Sequence, residues 1–338
     1  MKIIPLSDNY YSLWDDFCKE SDDTWFWHSS DWLKFISGYQ SEPKVLNLSF
    51  FIEENNKLKA IIPLMLETIK SNEKITREFS FSGWATPIPA FHNSLSSPEK
   101  EKIYWIILNE IDRLAKKEKV SFSRFVMSPL SVNYLNKNTS LHLKAFSSFD
   151  YFDIPVYSQI LNLSKNLNEI KRNIRHGHKA AITKGEKTLT TAIFDSFNIT
   201  PEIFDQYIGL YIKKFGAPKR SSSTFNIMFE RIKNKNDFLV FAYQNKYPIG
   251  VSYFYAFKNN AFYGSACNDP NIKNVPISHT IQWSAIKWMK EKKINFYEIG
   301  YQPYQSPNDK QLNISHFKKG FGGLIVPFFM KEKKYNHE

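Results

Sequence analysis

Phe238-Leu-Val-Phe-Ala-Tyr243, Gly250-Val-Ser-Tyr-Phe-Tyr-Ala-Phe257 and Ala261-Phe-Tyr-Gly-Ser-Ala266 are three aromatic and β-branched runs separated by short polar turns, which predicts an antiparallel meander. A helix over Ser278 to Lys292 and a strand over Asn295 to Ile299 follow it. Toward the N-terminus, Ile160 to Leu163 reads as a short extended run leading into a helix over about 166 to 183. There Asn166 and Glu169 are spaced as a capping box, and Leu167, Ile170, Ile174 and Ala181 form the apolar side. Thr200-Pro201 to Gly216 has a cap, a first-turn proline and a terminal glycine that agree on one helix, and another is expected over 223 to 234.

The first half of the chain shows the same order. Aromatic residues between 10 and 38 suit two amphipathic helices, the second capped by Ser30 or Asp31. Val45 to Ile52 and Leu58 to Ile69 read as a hairpin around the turn at 53 to 57, and Glu78 to Gly83 as a third strand. Residues 99 to 118 carry Ile103, Ile107, Ile111 and Leu114 on one helical stripe, and Phe122 to Met127 closes the series as a strand. Each half therefore reads as helices, three antiparallel strands, a helix and a strand. The two halves share element order without clear sequence identity.

That order matches the GNAT acyltransferase fold. The expected class is α+β: two tandem GNAT-like domains, a duplicated acyl-CoA N-acyltransferase fold, with a cleft between them. The expected domains are 1–155 and a basic 156–338, with the segment from about 325 to 338 packing back on the first domain. The boundary is placed near Asp150 to Tyr157, where Asp153-Ile154-Pro155 should interrupt regular structure.

Composition narrows the setting. The chain has 338 residues, 42% of them hydrophobic and 16% aromatic, enough to bury a core in each half. Neither end reads as a targeting segment and no run approaches the roughly 18 apolar residues that a membrane span requires, so a soluble, cytoplasmic protein is expected. Cys18 and Cys267 are the only cysteines, which leaves no disulfide framework or cysteine metal site and fits a reducing compartment; Cys267 reads as a small buried residue at a strand end. The net charge of +12 is divided unevenly: residues 1–155 hold 18 Lys and Arg against 20 Asp and Glu, net −2, and residues 156–338 hold 27 against 13, net +14. A basic half of that size favours phosphate-bearing partners: a nucleotide- or lipid-linked substrate, coenzyme A, tRNA or an anionic membrane surface at the periphery of which the protein would sit. DNA is not an expected partner.

The most distinctive stretch runs from Glu298-Ile-Gly300 through a polar loop to Phe317-Lys-Lys-Gly-Phe-Gly-Gly323, where cationic side chains alternate with glycines that let a backbone or ligand come close. With Trp32 in the aromatic N-terminal helices, Arg172, Arg175 and Lys179 after a short strand, and Phe215-Gly-Ala-Pro218 at a helix end, it resembles the FemABX peptidyltransferases and FemAB-like GNAT proteins of cell-envelope biosynthesis. The resemblance covers nearly the whole chain. It implies transfer of an acyl group, often an aminoacyl group from aminoacyl-tRNA, onto an amine of a nucleotide- or lipid-linked envelope precursor. It also implies a role in transfer for Phe317 and Lys318.

Amide formation requires a neutral amine, a donor held in line and stabilisation of the developing oxyanion. Lys318 is the candidate for the last task, against the ordinary reading of a solvated lysine, and Phe317 and Phe321 shape the site. Glu298, His279 and His316 are candidates for acid-base work, with Asp309 as a further acidic group. Arg172, Arg175 and Lys179 fall at i, i+3 and i+7, which would put them on one helix face as a phosphate clamp beside His176 and His178. A solvated basic face explains that spacing equally well. Lys214, with Lys213, Lys219 and Arg220, extends the basic surface, and Tyr263, Gln302 and Lys319 complete the candidate substrate-binding set. No histidine or cysteine spacing points to a metal. Asn268 to Ser278, where a GNAT pyrophosphate loop would lie, lacks a glycine-rich pattern. The expected enzyme is an N-acyltransferase or aminoacyltransferase without a permanently bound cofactor, using aminoacyl-tRNA or acyl-CoA as co-substrate. The alternatives are an acyl-CoA-dependent N-acyltransferase acting on an amino sugar in surface polysaccharide biosynthesis, and a non-catalytic protein binding RNA or a membrane surface.

Overall fold

A computed structural model describes residues 1–39, 43–71, 74–137, 139–217, 220–303 and 308–336. Pro218 and Lys219, and 304–307 of the polar loop, lie outside the described residues. The chain divides into two compact units, Met1–Pro155 with Phe328–Glu338, and Val156–Pro327. Among the described residues no helix is long and apolar enough to cross a membrane.

The first unit contains, in order, β1 (Lys2–Pro5), α1 (Tyr11–Glu20), α2 (Ser30–Ser37), β2 (Lys44–Asn47), β3 (Phe50–Glu54), β4 (Lys57–Ile62), β5 (Met65–Ser71), β6 (Lys74–Phe79), β7 (Thr86–Pro87), β8 (Ala90–Phe91), α3 (Ser97–Glu118), β9 (Phe122–Val126), α4 (Val132–Leu135) and α5 (Ser140–Ser147). Helix α3 is the expected one: Ser96 and Glu99 form a capping box, and Ile103, Ile107 and Ile111 are fully buried. The cap of α2 is Ser29, whose hydroxyl accepts from the Trp32 amide, so neither Ser30 nor Asp31 caps it. The two runs expected as one hairpin become four strands in two sheets. Strands β3 and β4 pair around Asn55 and Asn56, both left-handed, while β2 and β5 pair in a second sheet. The chain changes sheet at Leu48-Ser49 and Pro63-Leu64, where the Ser49 hydroxyl accepts from the Leu64 amide and holds the crossover. The third strand, β6, lies upstream of its expected position and ends at Phe79. It runs parallel to β9 for only two residue pairs, after which β7 takes its place beside β9.

The second unit holds β10 (Phe152–Asn162, which begins in the first unit), α6 (Leu167–Asn173), α7 (His176–Thr188), β11 (Thr190–Phe194), α8 (Pro201–Phe215), α9 (Ser222–Asn234), β12 (Phe238–Gln244), β13 (Tyr247–Phe257), β14 (Asn260–Asn268), α10 (Ile277–Glu291), β15 (Phe296–Gln302), α11 (Asp309–Lys319) and the start of β16 (Leu324–Lys334). The meander stands as read, and its sheet follows the order β11-β12-β13-β14-β15-β10. Helices α7 and α10 bury Ile182, Ile281, Ala285 and Ile286 against it. Asp153-Ile154-Pro155 does not interrupt regular structure but lies inside β10.

Two further expectations fail here, both for tertiary reasons. The helix over 166 to 183 is broken at Ile174-Arg175, because Ile174 is extended and buried and the Arg175 amide bonds to the Gly320 carbonyl instead of a carbonyl of its own helix. Asn166 does cap the first piece, accepting from the Glu169 amide at 2.8 Å, while the Glu169 carboxylate pairs with Lys165. The polar loop contains helix α11, capped by Asn308, so Phe317, Lys318 and Lys319 form a helical last turn.

Candidate functional site

Strands β14 and β15 are parallel neighbours for three pairs, ending at Phe262 opposite Glu298. Beyond that point β14 continues to Asn268 with β13, and β15 continues to Gln302 with β10. Among the described residues no strand pairs with Ile299–Gln302 on the β14 side. The strands thus form a fork, with Tyr263 as the first residue past the last pair on one prong. The register of β15 with β10 also shifts, so that Gln159 faces Gly300 and Ile160 faces Glu298, leaving Ile299 as the extra residue of a bulge. Bulges re-aim side chains, and this one sits beside the acid. Glu298 is therefore within the strand rather than at its end.

Glu298 is buried, with 4% of its surface exposed. Its Oε1 accepts from the Ser158 hydroxyl at 2.5 Å, and among the described residues Oε2 has no hydrogen-bond partner. Burial pushes its carboxyl up to about 7, against the lowering effects of the Ser158 hydroxyl and the Lys318 charge. Lys318 reaches into the same place from the end of α11. Its Nζ donates to the Tyr301 carbonyl at 3.0 Å and would stand 3.3 Å from a Cβ at Gly300. Burial lowers this amine to about 8, with the Glu298 charge working against the drop. An acid and an amine whose ordinary values lie far apart are thereby brought to neighbouring values around neutrality, as acid-base chemistry requires.

The motif glycines are explained by protein packing. A Cβ at Gly320 would lie 2.2 Å from the His178 ring, one at Gly322 2.9 Å from the Asn173 carbonyl oxygen, and one at Gly323 2.3 Å from the Ile160 carbonyl oxygen. Gly322 and Gly323 also have φ of +80° and +83°, where a side chain is strained. What approaches this turn is α7, the end of α6 and β10.

The other candidates are spread over several elements. Phe317, Phe321, His178 and His279 form one aromatic cluster, with Phe317 5.1 Å from the His279 ring and 5.2 Å from Phe321 between centroids. Burial holds half-buried His279 down at about 4. His316 accepts from the Arg175 guanidinium. Gln302 is buried on β15, with Oε1 accepting from the Ser315 hydroxyl of α11 and Nε2 without a partner among the described residues. Arg172, Arg175 and Lys179 do not share a helix face: Arg175 is the N-cap of α7, and Lys179 Nζ donates to the Arg172 carbonyl at 3.2 Å. Lys214 Nζ donates to the Ala266 carbonyl on β14 at 2.5 Å, and Lys213 pairs with Asp269, also at 2.5 Å. Asp309 and Lys319 are exposed on α11. Cys267 is buried within β14. Ser158 and the Tyr301 carbonyl are the groups that sequence reasoning missed. Ser158 precedes the residues expected as a strand, and a carbonyl has no residue-type signal. Among the described residues, no three His, Cys, Asp or Glu side chains cluster as a metal site.

No protein-family profile matches this chain, and no curated protein does either. Solved structures do. FemX aligns over 99% of this chain and 98% of its own, with a TM-score of 0.66 and 10% identity. L-PGS from Bacillus licheniformis aligns over 96% and 92%, with a TM-score of 0.59 and 10% identity. A tandem GNAT protein from the clavulanic acid biosynthesis pathway aligns over 100% and 99%, with a TM-score of 0.56 and 10% identity. End-to-end superposition at that identity establishes architecture, and this chain has the tandem GNAT fold of the FemAB-like type.

Proposed function

We propose that this protein is an acyltransferase that forms an amide, moving an acyl or aminoacyl group onto an amine of a nucleotide- or lipid-linked peptide or amino sugar of the cell envelope. The observation that carries this reading is the buried Glu298 and the half-buried Lys318 at the fork of β14 and β15. The acceptor amine attacks the donor carbonyl carbon, a C–N bond forms, and the carbonyl electron pair moves onto oxygen. The Lys318 ammonium, held by one hydrogen bond to Tyr301, directs a second N–H at that oxyanion. The free Oε2 of Glu298 takes the proton the amine must lose. Collapse re-forms the carbonyl and expels the donor's thiolate or ribose oxygen, which takes up a proton.

The similarity in fold to FemX and L-PGS favours an aminoacyl donor. The approach to α10, with Pro276 as its N-cap and no glycine-rich turn, points the same way. An acyl-CoA donor is the second reading, favoured by the open fork and by the tandem GNAT relative. Incubation with acyl-CoA and aminoacyl-tRNA pools in parallel, followed by mass analysis of amino sugars and nucleotide-linked peptides, tests both. One donor should yield a product whose formation Lys318→Ala slows about 10²–10³-fold. Undiminished transfer by Lys318→Ala contradicts the mechanism, whereas no transfer together with RNA or vesicle binding that weakens when Arg172 and Arg175 are neutralised indicates a binding protein.

A further inference from the structure

The break between α6 and α7 places Arg175 and His178 against the last turn of α11, and their hydrogen bonds have a fixed direction. The Arg175 guanidinium donates to His178 Nδ1 at 3.1 Å, which leaves Nε2 to carry the proton, and Nε2 donates to the Phe317 carbonyl at 2.9 Å. The same guanidinium donates to His316, the residue before Phe317 on α11, and the Arg175 amide donates to the Gly320 carbonyl at 2.9 Å. Carbonyls at a helix C-terminus carry partial negative charge and favour further donors. Here the Gly320 carbonyl receives one from the cap of α7, and the Phe317 carbonyl, which also accepts from the Gly320 amide at 3.2 Å, receives one from α7 itself. His178 is 3% exposed, and its ring fills the space that a side chain at Gly320 would need.

We propose that His178, oriented by Arg175, is a positioning residue for Lys318, fixing the carbonyl immediately before it so that the Lys318 side chain is aimed into the fork. This rests on the acyl-transfer reading for its purpose and on the bonds above for its geometry. The charged and titratable groups around this turn are Glu298 on β15, Arg175 and His178 at α7, His279 on α10, and His316 and Lys319 on α11. Burial lowers the His178 ring from its ordinary value against the raising effect of the Phe317 carbonyl, and Arg175 and His316 act in the same direction as burial. A neutral ring is what the observed bonding requires.

The test reads Lys318 directly and needs no substrate. The folded full-length protein is treated briefly with an amine-acylating reagent across a pH series, and modification of Lys318 is followed by peptide mass. In the wild type, labelling should reach half its maximum near pH 8. His178→Ala frees the turn and admits water, so the midpoint should rise by about one pH unit or more, with roughly tenfold less labelling near neutrality. His178→Gln, which keeps a donor to the carbonyl, should restore most of the shift. An unchanged midpoint in a folded His178→Ala protein overturns the proposal. If that variant does not fold, nitrogen NMR of the wild type decides: a neutral ring with the proton on Nε2 supports it, and a charged ring or a proton on Nδ1 overturns it. Labelling that behaves as described in a protein without transfer activity refutes acyl transfer and leaves the positioning intact.

Discussion

Among the described residues each unit contains a parallel strand pair that diverges, β6 with β9 in the first and β14 with β15 in the second, and the two forks end differently. In the first unit β6 leaves β9 after Phe79, and the chain returns as Thr86-Pro87 to occupy the vacated edge of β9. The intervening turn is fastened by buried Glu67, which accepts from the Ser80 hydroxyl and the Ser82 and Gly83 amides. In the second unit β14 leaves β15 after Phe262, and among the described residues no strand returns to the edge of β15. What lies there is the Lys318 ammonium on the Tyr301 carbonyl, with Glu298 at the point of divergence. The same architectural fork has thus been filled by backbone in one unit, and lined with ionisable side chains in the other. A duplicated fold need not duplicate a site.

Four substitutions sharpen this contrast, and the largest effects are expected in the open fork. Lys318→Ala should lower the transfer rate about 10²–10³-fold in single-turnover assays, the usual loss on removing an oxyanion donor. Glu298→Gln should cost about 10²-fold. It should also change the pH profile: the wild-type rate rises through about 7 as the carboxyl loses its proton and falls through about 8 as the ammonium loses its own. Those two values belong to the coupled pair, and the substitution should abolish the rising limb. Stability gives an independent check. The folded carboxyl titrates above its ordinary 4.5, so its contribution is full below that pH and is lost as pH rises toward about 7. Denaturation across that window should show the wild type weakening relative to Glu298→Gln.

The closed fork should respond in stability alone. Glu67→Ala leaves one buried hydroxyl and two amides without their acceptor, and should cost about 2–3 kcal/mol in chemical denaturation while sparing the transfer rate. The smallest effect is expected from Thr86→Val. The Thr86 hydroxyl is buried without a hydrogen-bond partner among the described residues, so its removal should be neutral or stabilise by up to about 1 kcal/mol in a melting experiment. A matching loss of transfer in either first-unit variant would break the comparison.

Much of the architecture was legible because it rests on local patterns. The meander alternates between short turns, α3 has an apolar stripe, and Thr200, Pro201 and Gly216 mark both ends of α8. The misread elements depend on distant partners. Helix α11 lacks an apolar stripe, with Leu312 and Ile314 exposed, so its pattern resembles a polar loop. The break at Ile174-Arg175 has no proline or glycine to announce it and is maintained by the Gly320 carbonyl. The candidate site was half legible for the same reason. Glu298 and Lys318 stand out by residue type beside glycines, whereas Ser158, the bulge at Ile299 and the free edge of β15 follow from strand register.

Hydrogen exchange with and without the acyl donor tests the central claim most directly, because it reads both forks in one experiment. Donor binding should slow exchange in peptides covering 263–268 and 299–302, leaving those covering 122–126 unchanged. Protection confined to 122–126, or none at either fork under conditions of active transfer, would contradict the account.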